Sequence, residues 1–166
     1  MEEFRIECDF GKRTQAYKDG KKFYVDYDDF INHVMGYSFK MSNKGYVMYS
    51  SNKDGLHNKL LHRIIMNCPD DMFIDHINRD RLNNMRSNLR IATPQQNMMN
   101  KGKQKNNTTG VIGVSWNKAR EKWEVRIMLN NKKINLGYFK DFEDACKARK
   151  DGEIKYFGEF RNKDED

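Results

Sequence analysis

A chain of 166 residues, 37% of them apolar, is long enough for one ordinary domain or for two small domains with limited cores. Its formal net charge of +7 arises in the middle of the chain, where residues 51–140 hold 17 of the 31 basic residues but only 7 of the 24 acidic ones. The three widely spaced cysteines argue against a disulfide framework or a thiolate zinc site, and there is neither a signal sequence nor a span of ~20 apolar residues, so we expect a protein of the reducing cytoplasm without a membrane partner.

Short strands joined by turns are predicted for residues 1–50, where aromatic and apolar residues are punctuated by glycines, and we assign no chemistry to this segment. Leucine and isoleucine then recur at helical spacing from Leu56 to Ile65. This pattern predicts an amphipathic helix that runs to about Asn67 and that Pro69 prevents from continuing.

Three of the four histidines, His33, His57 and His62, are not predicted to take part in catalysis. His62 could approach a phosphate or a catalytic site, but a histidine near an apolar helix face more often forms a hydrogen bond within the fold, and we assign it that role. His33 and His57 have no partner that the sequence identifies and are assigned none.

A strand, a polar loop, a second strand and a helix are predicted next, in that order. The strands cover residues 72–78 and 90–92, and the loop between them is rich in Asn, Asp and Arg. Thr93 can cap the helix, Pro94 suits its first position because the missing N–H costs nothing there, and Gln96 stands where a capping-box partner belongs.

A polar and basic segment at residues 100–109 has no apolar periodicity and is predicted to be a linker. Beyond it the alternation of apolar and polar residues predicts three strands, at residues 111–117, 123–129 and 133–139. A helix follows, with Asp141 as its N-cap and Gly158 at its end, before a charged tail at residues 162–166.

The basic excess of the central residues favours a surface that faces a polyanion such as nucleic acid, with ordinary solvated side chains as the alternative.

Residues suited to phosphodiester hydrolysis lie in the strand, loop, strand and helix segment. Such hydrolysis near neutral pH needs a base that activates water and a cation that stabilises charge on the phosphate and the leaving oxygen. Oxygens of Asp75 and Asn97 suit a hard cation, and the imidazole of His76 suits the base. Each short motif alone could merely supply turns in a structural loop, but their joint order, together with Asn88, favours a nuclease site.

Three segments stand in a fixed order along residues 55–100: Leu61-His62-Arg63, Asp75-His76 and Ser87-Asn88-Leu89-Arg90. In this order they resemble the ββα-metal fold of HNH endonucleases, particularly the phage and intron-encoded homing enzymes. The resemblance implies that Asp75 and Asn97 ligate a divalent cation, Mg²⁺ or Mn²⁺, that His76 is the general base, and that Asn88 braces the loop so that the imidazole is aimed. The last motif position is Asn97 instead of His, which we interpret as a site for a single hard cation.

Alternation divides the three C-terminal strands into two faces. The residues of one face are apolar and can pack on the helix: Val114, Trp116, Trp123, Val125, Ile127, Ile134 and Leu136. The residues of the other face point away from the helix: Ser115, Asn117, Glu124, Arg126, Met128, Lys133 and Asn135. The outward face carries donors and acceptors that can reach base edges and phosphates, and the solvated face of a half-buried sheet is the alternative.

Gly113-Val114, residues 123–127, Leu136-Gly137-Tyr138-Phe139 and the alanine-containing helix are similar to the AP2 DNA-binding domain, a likeness that covers residues 109–160. The resemblance implies that the sheet lies in the major groove. Six outward residues would then face DNA: Ser115, Asn117, Arg126, Met128, Lys133 and Asn135. Plant members have Arg and Trp at several of these positions, so their recognition sequence is not carried over.

Together the patterns and resemblances predict an α+β protein with a ββα-metal nuclease module and an AP2-like three-stranded antiparallel sheet packed on one helix. The predicted divisions are residues 1–100 for the nuclease module and its β-rich extension, 55–100 for its core, 101–108 for a basic linker, 109–160 for the AP2-like domain and 161–166 for the tail.

The predicted function is metal-dependent, site-directed hydrolysis of double-stranded DNA by a homing-type endonuclease. A single nuclease site favours nicking by a monomer, and no protein partner is predicted. The main alternative is an AP2-type DNA-binding regulator that keeps the HNH region only as a scaffold and binds without cutting. A third possibility is a basic protein that has no role in binding or cutting nucleic acid.

Overall fold

The structure, a computed structural model, describes residues 7–9, 13–18, 21–50, 53–103 and 107–162. The chain divides into two compact units, Met1–Pro94 and Gln95–Asp166. This boundary lies N-terminal to the predicted linker, of which residues 104–106 fall outside the described residues, as do residues 163–166 of the predicted tail. In the described part of the chain, no helix is both long and apolar enough to cross a membrane.

The first unit consists of small antiparallel sheets and short helices. Strands β1 to β3 form a three-stranded sheet in that order, and β4 with β5 and β6 with β7 form two-stranded sheets. In chain order the elements are β1 (Glu7–Asp9), β2 (Arg13–Lys18), β3 (Lys21–Asp26), α1 (Tyr27–His33), β4 (Phe39–Met41), β5 (Val47–Tyr49), α2 (Leu61–Ile65), β6 (Phe73–His76) and β7 (Leu89–Ala92). The predicted strand, loop and strand of the nuclease segment are confirmed as β6, the following loop and β7.

Aromatic and aliphatic residues from most of these elements share one core. The Phe39 and Tyr49 rings lie 4.8 Å apart, and the Phe23 and Phe39 rings 5.8 Å apart. The other buried apolar members are Val25, Phe30, Val34, Val47, Leu61, Ile65, Ile74 and Leu89. Residues between 23 and 49 therefore supply much of the hydrophobic support on which β6 and β7 rest.

The helix predicted from Leu56 to about Asn67 is shorter than expected. Helix α2 covers only Leu61–Ile65, because Leu60 has an extended backbone and forms an isolated bridge with Met48. The carbonyl of the preceding Lys59 accepts a hydrogen bond from Tyr49 N at 2.9 Å instead of entering a helix. The apolar spacing of this segment therefore reflects packing of a turn and a bridge as well as one helical turn.

The second unit is a three-stranded antiparallel sheet covered on one face by a helix, as predicted for the C-terminal segment. The sheet has the order β10, β9, β8. Helix α3 (Pro94–Met99) begins at the last residue of the first unit, and the further elements are β8 (Val114–Asn117), β9 (Lys122–Leu129), β10 (Lys132–Phe139) and α4 (Phe142–Phe157). Asp141 is the N-cap residue of α4, although its side chain makes no capping hydrogen bond, and Gly158 follows the helix with a φ of 54°.

The core of this unit lies between the sheet and α4, where Val114, Val125 and Ala145 are buried together. Gly152 permits the close approach of α4, because a Cβ atom there would lie 2.4 Å from Cδ1 of Leu136. Trp116, predicted to belong to this core, is 46% exposed. It lies on the edge strand and contacts Trp123 edge to face, while Trp123 itself packs on Phe142.

Candidate functional site

Adjacent acidic and imidazole side chains end strand β6, where Asp75 pairs with Arg90 and His76 with Leu89 across the two-stranded sheet. Asp75 and His76 are each only 5% exposed. Arg90 directs both Nε, at 2.8 Å, and Nη2, at 2.6 Å, to Oδ2 of Asp75. Cross-strand pairing thus holds the Asp75 carboxylate against the Arg90 guanidinium and places the next residue, His76, at the end of the strand.

The His76 ring lies in a small aromatic cluster. Its centroid is 5.0 Å from that of His62, with the rings nearly perpendicular, and 5.8 Å from that of Tyr46. Burial lowers the pKa of His76, and the nearby Asn84 amide and Asp75 carboxylate partly oppose this because they favour the protonated form. The imidazole is therefore biased toward its neutral form, which can accept a proton.

His62 lies beside His76 in the same cluster. Its ring is 4% exposed and packs against both His76 and Tyr46, and Nδ1 has no hydrogen-bond partner among the described residues. Burial lowers its pKa to about 3, and neighbouring His76 and Arg63 contribute. The internal hydrogen bond expected for this residue is thus not seen at Nδ1, and His62 belongs to the surroundings of His76.

The loop between β6 and β7 is held by Asn88, which is 7% exposed. Its Oδ1 accepts a hydrogen bond from Asn78 N at 2.9 Å, and its Nδ2 donates to the Asn83 carbonyl at 2.8 Å. The Asn88 carbonyl also accepts from Ile77 N at 2.9 Å. These are the contacts that a loop brace requires, directly after His76.

The N-terminal elements hold the same loop from the other side. Arg86 donates from Nε and Nη2 to the two carboxylate oxygens of Asp29, at 2.8 and 2.7 Å, and its backbone N donates to Asp26 at 2.7 Å. The backbone of Tyr24 both donates to the Leu82 carbonyl and accepts from Asn84 N, each at 2.8 Å. Residues to which we assigned no chemistry therefore position the loop that carries Asn84 and Asn88.

The donor set predicted for a cation is sparse. In the part of the chain that the structure describes, no group of three or more His, Cys, Asp or Glu side chains could hold a metal ion. One carboxylate and one amide oxygen would leave most coordination positions to water and phosphate, a donor set that suits Mg²⁺. Asn97 lies on α3 and is partly buried, and its pairing with Asp75 in one site stays a prediction.

The strand register of the second unit groups the residues predicted to face DNA. Ser115 lies opposite Glu124, Arg126 opposite Asn135, and Met128 opposite Lys133. These residues and Asn117 alternate with the residues that face α4, such as Val125 and Ile127. All six predicted residues thus belong to one outward face, which we call the β8–β10 outer face.

A β-bulge adds one side chain, that of Tyr138, which simple alternation missed. The register between β9 and β10 shifts between Asn135 and Gly137, so that Tyr138 lies opposite Glu124 on the β8–β10 outer face. The Tyr138 hydroxyl donates to Oε1 of Glu124 at 3.3 Å, and the Arg120 guanidinium lies 4.5 Å above the Tyr138 ring. A glycine inside a strand pattern is the signal that could have indicated the bulge.

Comparison with known proteins finds a family whose model matches the segment that contains Asp75, His76 and Asn88. Residues 59–99 match the family model described as HNH endonuclease, a segment that contains α2, β6, the braced loop, β7 and α3. No solved structure matches the chain significantly.

Three viral or prophage proteins are similar to part of the chain. Protein 3.8 of Escherichia phage T7 is 40% identical over 41% of this chain and 56% of its own length. The protein named HNH endonuclease L560 of Acanthamoeba polyphaga mimivirus is 42% identical over 51% of this chain and 46% of its own length. YosQ of the SPbeta prophage of Bacillus subtilis, whose name places it with HNH homing endonucleases, is 40% identical over 33% of this chain and 36% of its own length.

The chain spans about half the length of these curated relatives, or less. The matched segment nevertheless includes the part of the first unit that carries Asp75, His76 and Asn88. Residues 59–99 of this chain therefore form an HNH endonuclease domain.

Proposed function

We propose that this protein is a metal-dependent, homing-type endonuclease of double-stranded DNA, in which the HNH domain cuts and the β8–β10 outer face selects the site. The observation that carries the proposal is that Asp75 and His76 stand next to each other at the end of β6. The loop that follows is held by Asn88 through two side-chain hydrogen bonds. This arrangement lies inside the segment that matches HNH endonucleases.

In the proposed reaction, His76 takes a proton from the attacking water. The lowered pKa of this buried imidazole favours the neutral form that a general base needs at neutral pH. Asp75, oriented by Arg90, and Asn97 would hold Mg²⁺ or Mn²⁺. The cation, when bound, supplies charge stabilisation at the phosphate and at the leaving oxygen.

Site selection is assigned to the second unit. The β8–β10 outer face combines cationic, amide and hydroxyl groups, which suit contacts to phosphates and to base edges in the major groove. By the AP2 resemblance the residues that face DNA are Ser115, Asn117, Arg126, Met128, Lys133 and Asn135. Because the proposal contains one nuclease site per chain, we expect a monomer that nicks one strand.

The test uses a pool of supercoiled DNA molecules that together are as long as a phage genome. Cleavage by the wild type and by His76→Ala is compared with Mg²⁺, Mn²⁺ or EDTA present. We expect metal-dependent nicking by the wild type, and a loss of at least ~100-fold in His76→Ala with DNA affinity kept, because the general base alone contributes about that much. His57→Ala, which changes an exposed histidine outside the cluster, is the matched control.

Circular dichroism of His76→Ala checks that the buried substitution leaves the fold intact. Binding by the wild type without cleavage under any metal would contradict the nuclease proposal and favour the regulator that binds only. Equal cleavage by the wild type and a folded His76→Ala would leave the nuclease standing and remove His76 as its base.

A further inference from the structure

We propose that Tyr46 is a positioning residue of the active site, whose ring fixes the orientation of the His76 imidazole. The inference rests on the proposed function, since it requires that His76 is the general base. Tyr46 directly precedes β5, at the end of the turn that joins β4 to β5, and lies outside the residues 59–99 that match the HNH family. Part of the active site is thereby assigned to a segment N-terminal to the matched domain.

Holding the backbone around His76 does not by itself orient the imidazole. Asn88 accepts hydrogen bonds from the backbone N–H groups of Ile77 and Asn78, which fixes the chain after His76. The ring can still turn about its Cβ–Cγ bond, because this torsion joins an sp³ carbon to an sp² carbon and is broad. A general base must hold one ring nitrogen within hydrogen-bond distance of the attacking water, so a contact that limits this rotation affects catalysis.

Two neighbouring rings meet the imidazole at different inclinations. The Tyr46 ring centroid lies 5.8 Å from that of His76 with an interplanar angle of 36°, and the His62 ring lies 5.0 Å away at 83°. The centroids of Tyr46 and His62 are 5.2 Å apart, so the three rings contact one another in pairs. These separations are those of packed aromatic pairs. Rotation of the imidazole would bring it against one ring or the other.

The position of Tyr46 is fixed both by its own turn and by the loop that follows His76. Its backbone N donates to Ser42 Oγ at 2.9 Å, and its carbonyl accepts from Ser42 N at 2.8 Å. From the loop between β6 and β7, the Arg81 guanidinium lies 5.0 Å from the centroid of the Tyr46 ring. Arg81 Nη1 also donates to the Lys44 carbonyl at 2.6 Å. The catalytic loop therefore holds the turn that carries the ring.

An ordinary role in the hydrophobic core fits Tyr46 less well. Val47 and Tyr49, which follow it in β5, are buried members of that core, whereas Tyr46 is half-buried. The groups that its ring contacts are two imidazoles and a guanidinium. Removing the ring should therefore affect the active site more than the stability of the fold.

The experiment is single-turnover cleavage of supercoiled DNA by the full chain in excess, as the wild type, Tyr46→Leu and Tyr46→Phe. We expect Tyr46→Leu to cut about 10- to 100-fold more slowly with an unchanged dissociation constant for DNA, because a small misplacement of a reacting group costs up to about that much. Tyr46→Phe keeps the ring and should cut at near the wild-type rate. Tyr27→Leu removes a tyrosine that is 54% exposed at the start of α1, and as the matched control it should cut like the wild type.

A double substitution separates the orientation of His76 from a general structural role. If Tyr46 acts through His76 alone, Tyr46→Leu should have no further effect on the residual cleavage by His76→Ala. Tyr46→Met is made in parallel, because its flexible side chain fills irregular space and provides a second variant without the ring.

Three outcomes would overturn the positioning role while leaving the nuclease standing. The first is a wild-type rate in a variant without the ring, and the second is a loss in Tyr46→Phe as large as in Tyr46→Leu, since the hydroxyl would then carry the effect. The third is a further loss in the His76→Ala background as large as the loss in the wild type. A wild type that cuts DNA with no metal tested would overturn the proposed function itself, and the role of Tyr46 with it.

Discussion

The two buried histidines of the HNH domain show how burial sets the chemistry of a residue. His62 and His76 lie ring against ring, and both pKa values are lowered chiefly because the charged form loses hydration. For His76 this favours a proton acceptor. For His62, whose pKa is about 3 in the folded protein, it has a consequence for stability.

Stability should fall on acidification because of His62. An unfolded histidine binds a proton near pH 6.5, whereas the folded protein resists protonation of His62 until about pH 3. Between these pH values the unfolded state binds a proton at His62 that the folded state does not. The contribution of His62 to the free energy of unfolding therefore has its full value above pH 6.5 and decreases by up to about 1.4 kcal/mol per pH unit below it. His62→Phe, which keeps a ring in the cluster, should remove the part of this pH dependence that comes from His62 and leave the part that comes from His76, whose pKa is also lowered.

The measurement is the free energy of unfolding in urea between pH 4.5 and 7.5 for the wild type and His62→Phe. His57→Phe changes an exposed histidine and is expected to retain the wild-type dependence. Parallel curves for His62→Phe and the wild type would show that His62 gains its proton equally in both states.

What the sequence could predict at this scale depended on distance along the chain. The proximity of Asp75, His76 and Asn88 could be predicted because they belong to one short strand and loop segment with a recognisable order. The Asp29 carboxylate could not, because its partner Arg86 lies 57 residues later and no local pattern links the two. The place of His62 beside His76 likewise depends on how α2 packs on β6, which periodicity alone does not report.

Among the elements, the C-terminal sheet was predicted well and its irregularities were not. The three strands and α4 have strong alternating or helical patterns, and both were confirmed. The bulge at Asn135 and Gly137 reverses the phase of β10, so that Tyr138 joins the outer face. A single extra residue changes the face of every residue after it, which makes such errors characteristic of reasoning from alternation.

A second irregularity before β8 leads to a prediction about stability. Gly113 has a φ of 75°, and a Cβ atom there would lie 2.3 Å from the Arg126 carbonyl oxygen and 2.6 Å from Arg149 Nη1. The Gly113 carbonyl also accepts a hydrogen bond from Arg126 N at 2.8 Å, which ties this turn to β9. Because the nearest atom is backbone, the clash cannot be relieved by a side-chain rotation.

Gly113→Ala should therefore destabilise the protein by more than the conformational cost of an alanine at positive φ, which is about 1–2 kcal/mol. Gly110→Ala is a close control, because Gly110 has a φ of 79° but a methyl group added there would have no neighbouring atom within 4 Å. Thermal or urea unfolding should rank Gly113→Ala clearly below Gly110→Ala. Equal losses would mean that the turn moves away from β9 without cost.

At the scale of the whole molecule, the chain divides into Met1–Pro94, which holds Asp75 and His76, and Gln95–Asp166, which holds Asn97 and the β8–β10 outer face. The active-site variants lie in the first unit and the outer-face variants in the second, so their effects on turnover and on affinity should be separable. The sequence predicted two such parts from two independent patterns. It placed the boundary in a basic linker because polar composition was the available signal, whereas the division between the compact units falls where α3 begins.

A net charge of +7 should make the affinity of this 166-residue chain for DNA fall steeply with salt. Each phosphate that the protein neutralises releases condensed counterions and contributes about 0.9 to the slope of log affinity against log salt concentration. Lys133 is exposed on the β8–β10 outer face, opposite Met128, so Lys133→Ala should reduce the slope by about one such step. Lys147→Ala removes the same charge from an exposed position on α4, the helix that covers the other face of the sheet, and should leave the slope unchanged. Fluorescence anisotropy with a labelled duplex across a salt series measures all three slopes. Equal reductions for both variants would indicate that only total charge matters, and an affinity that does not change with salt would count against a DNA-facing surface altogether.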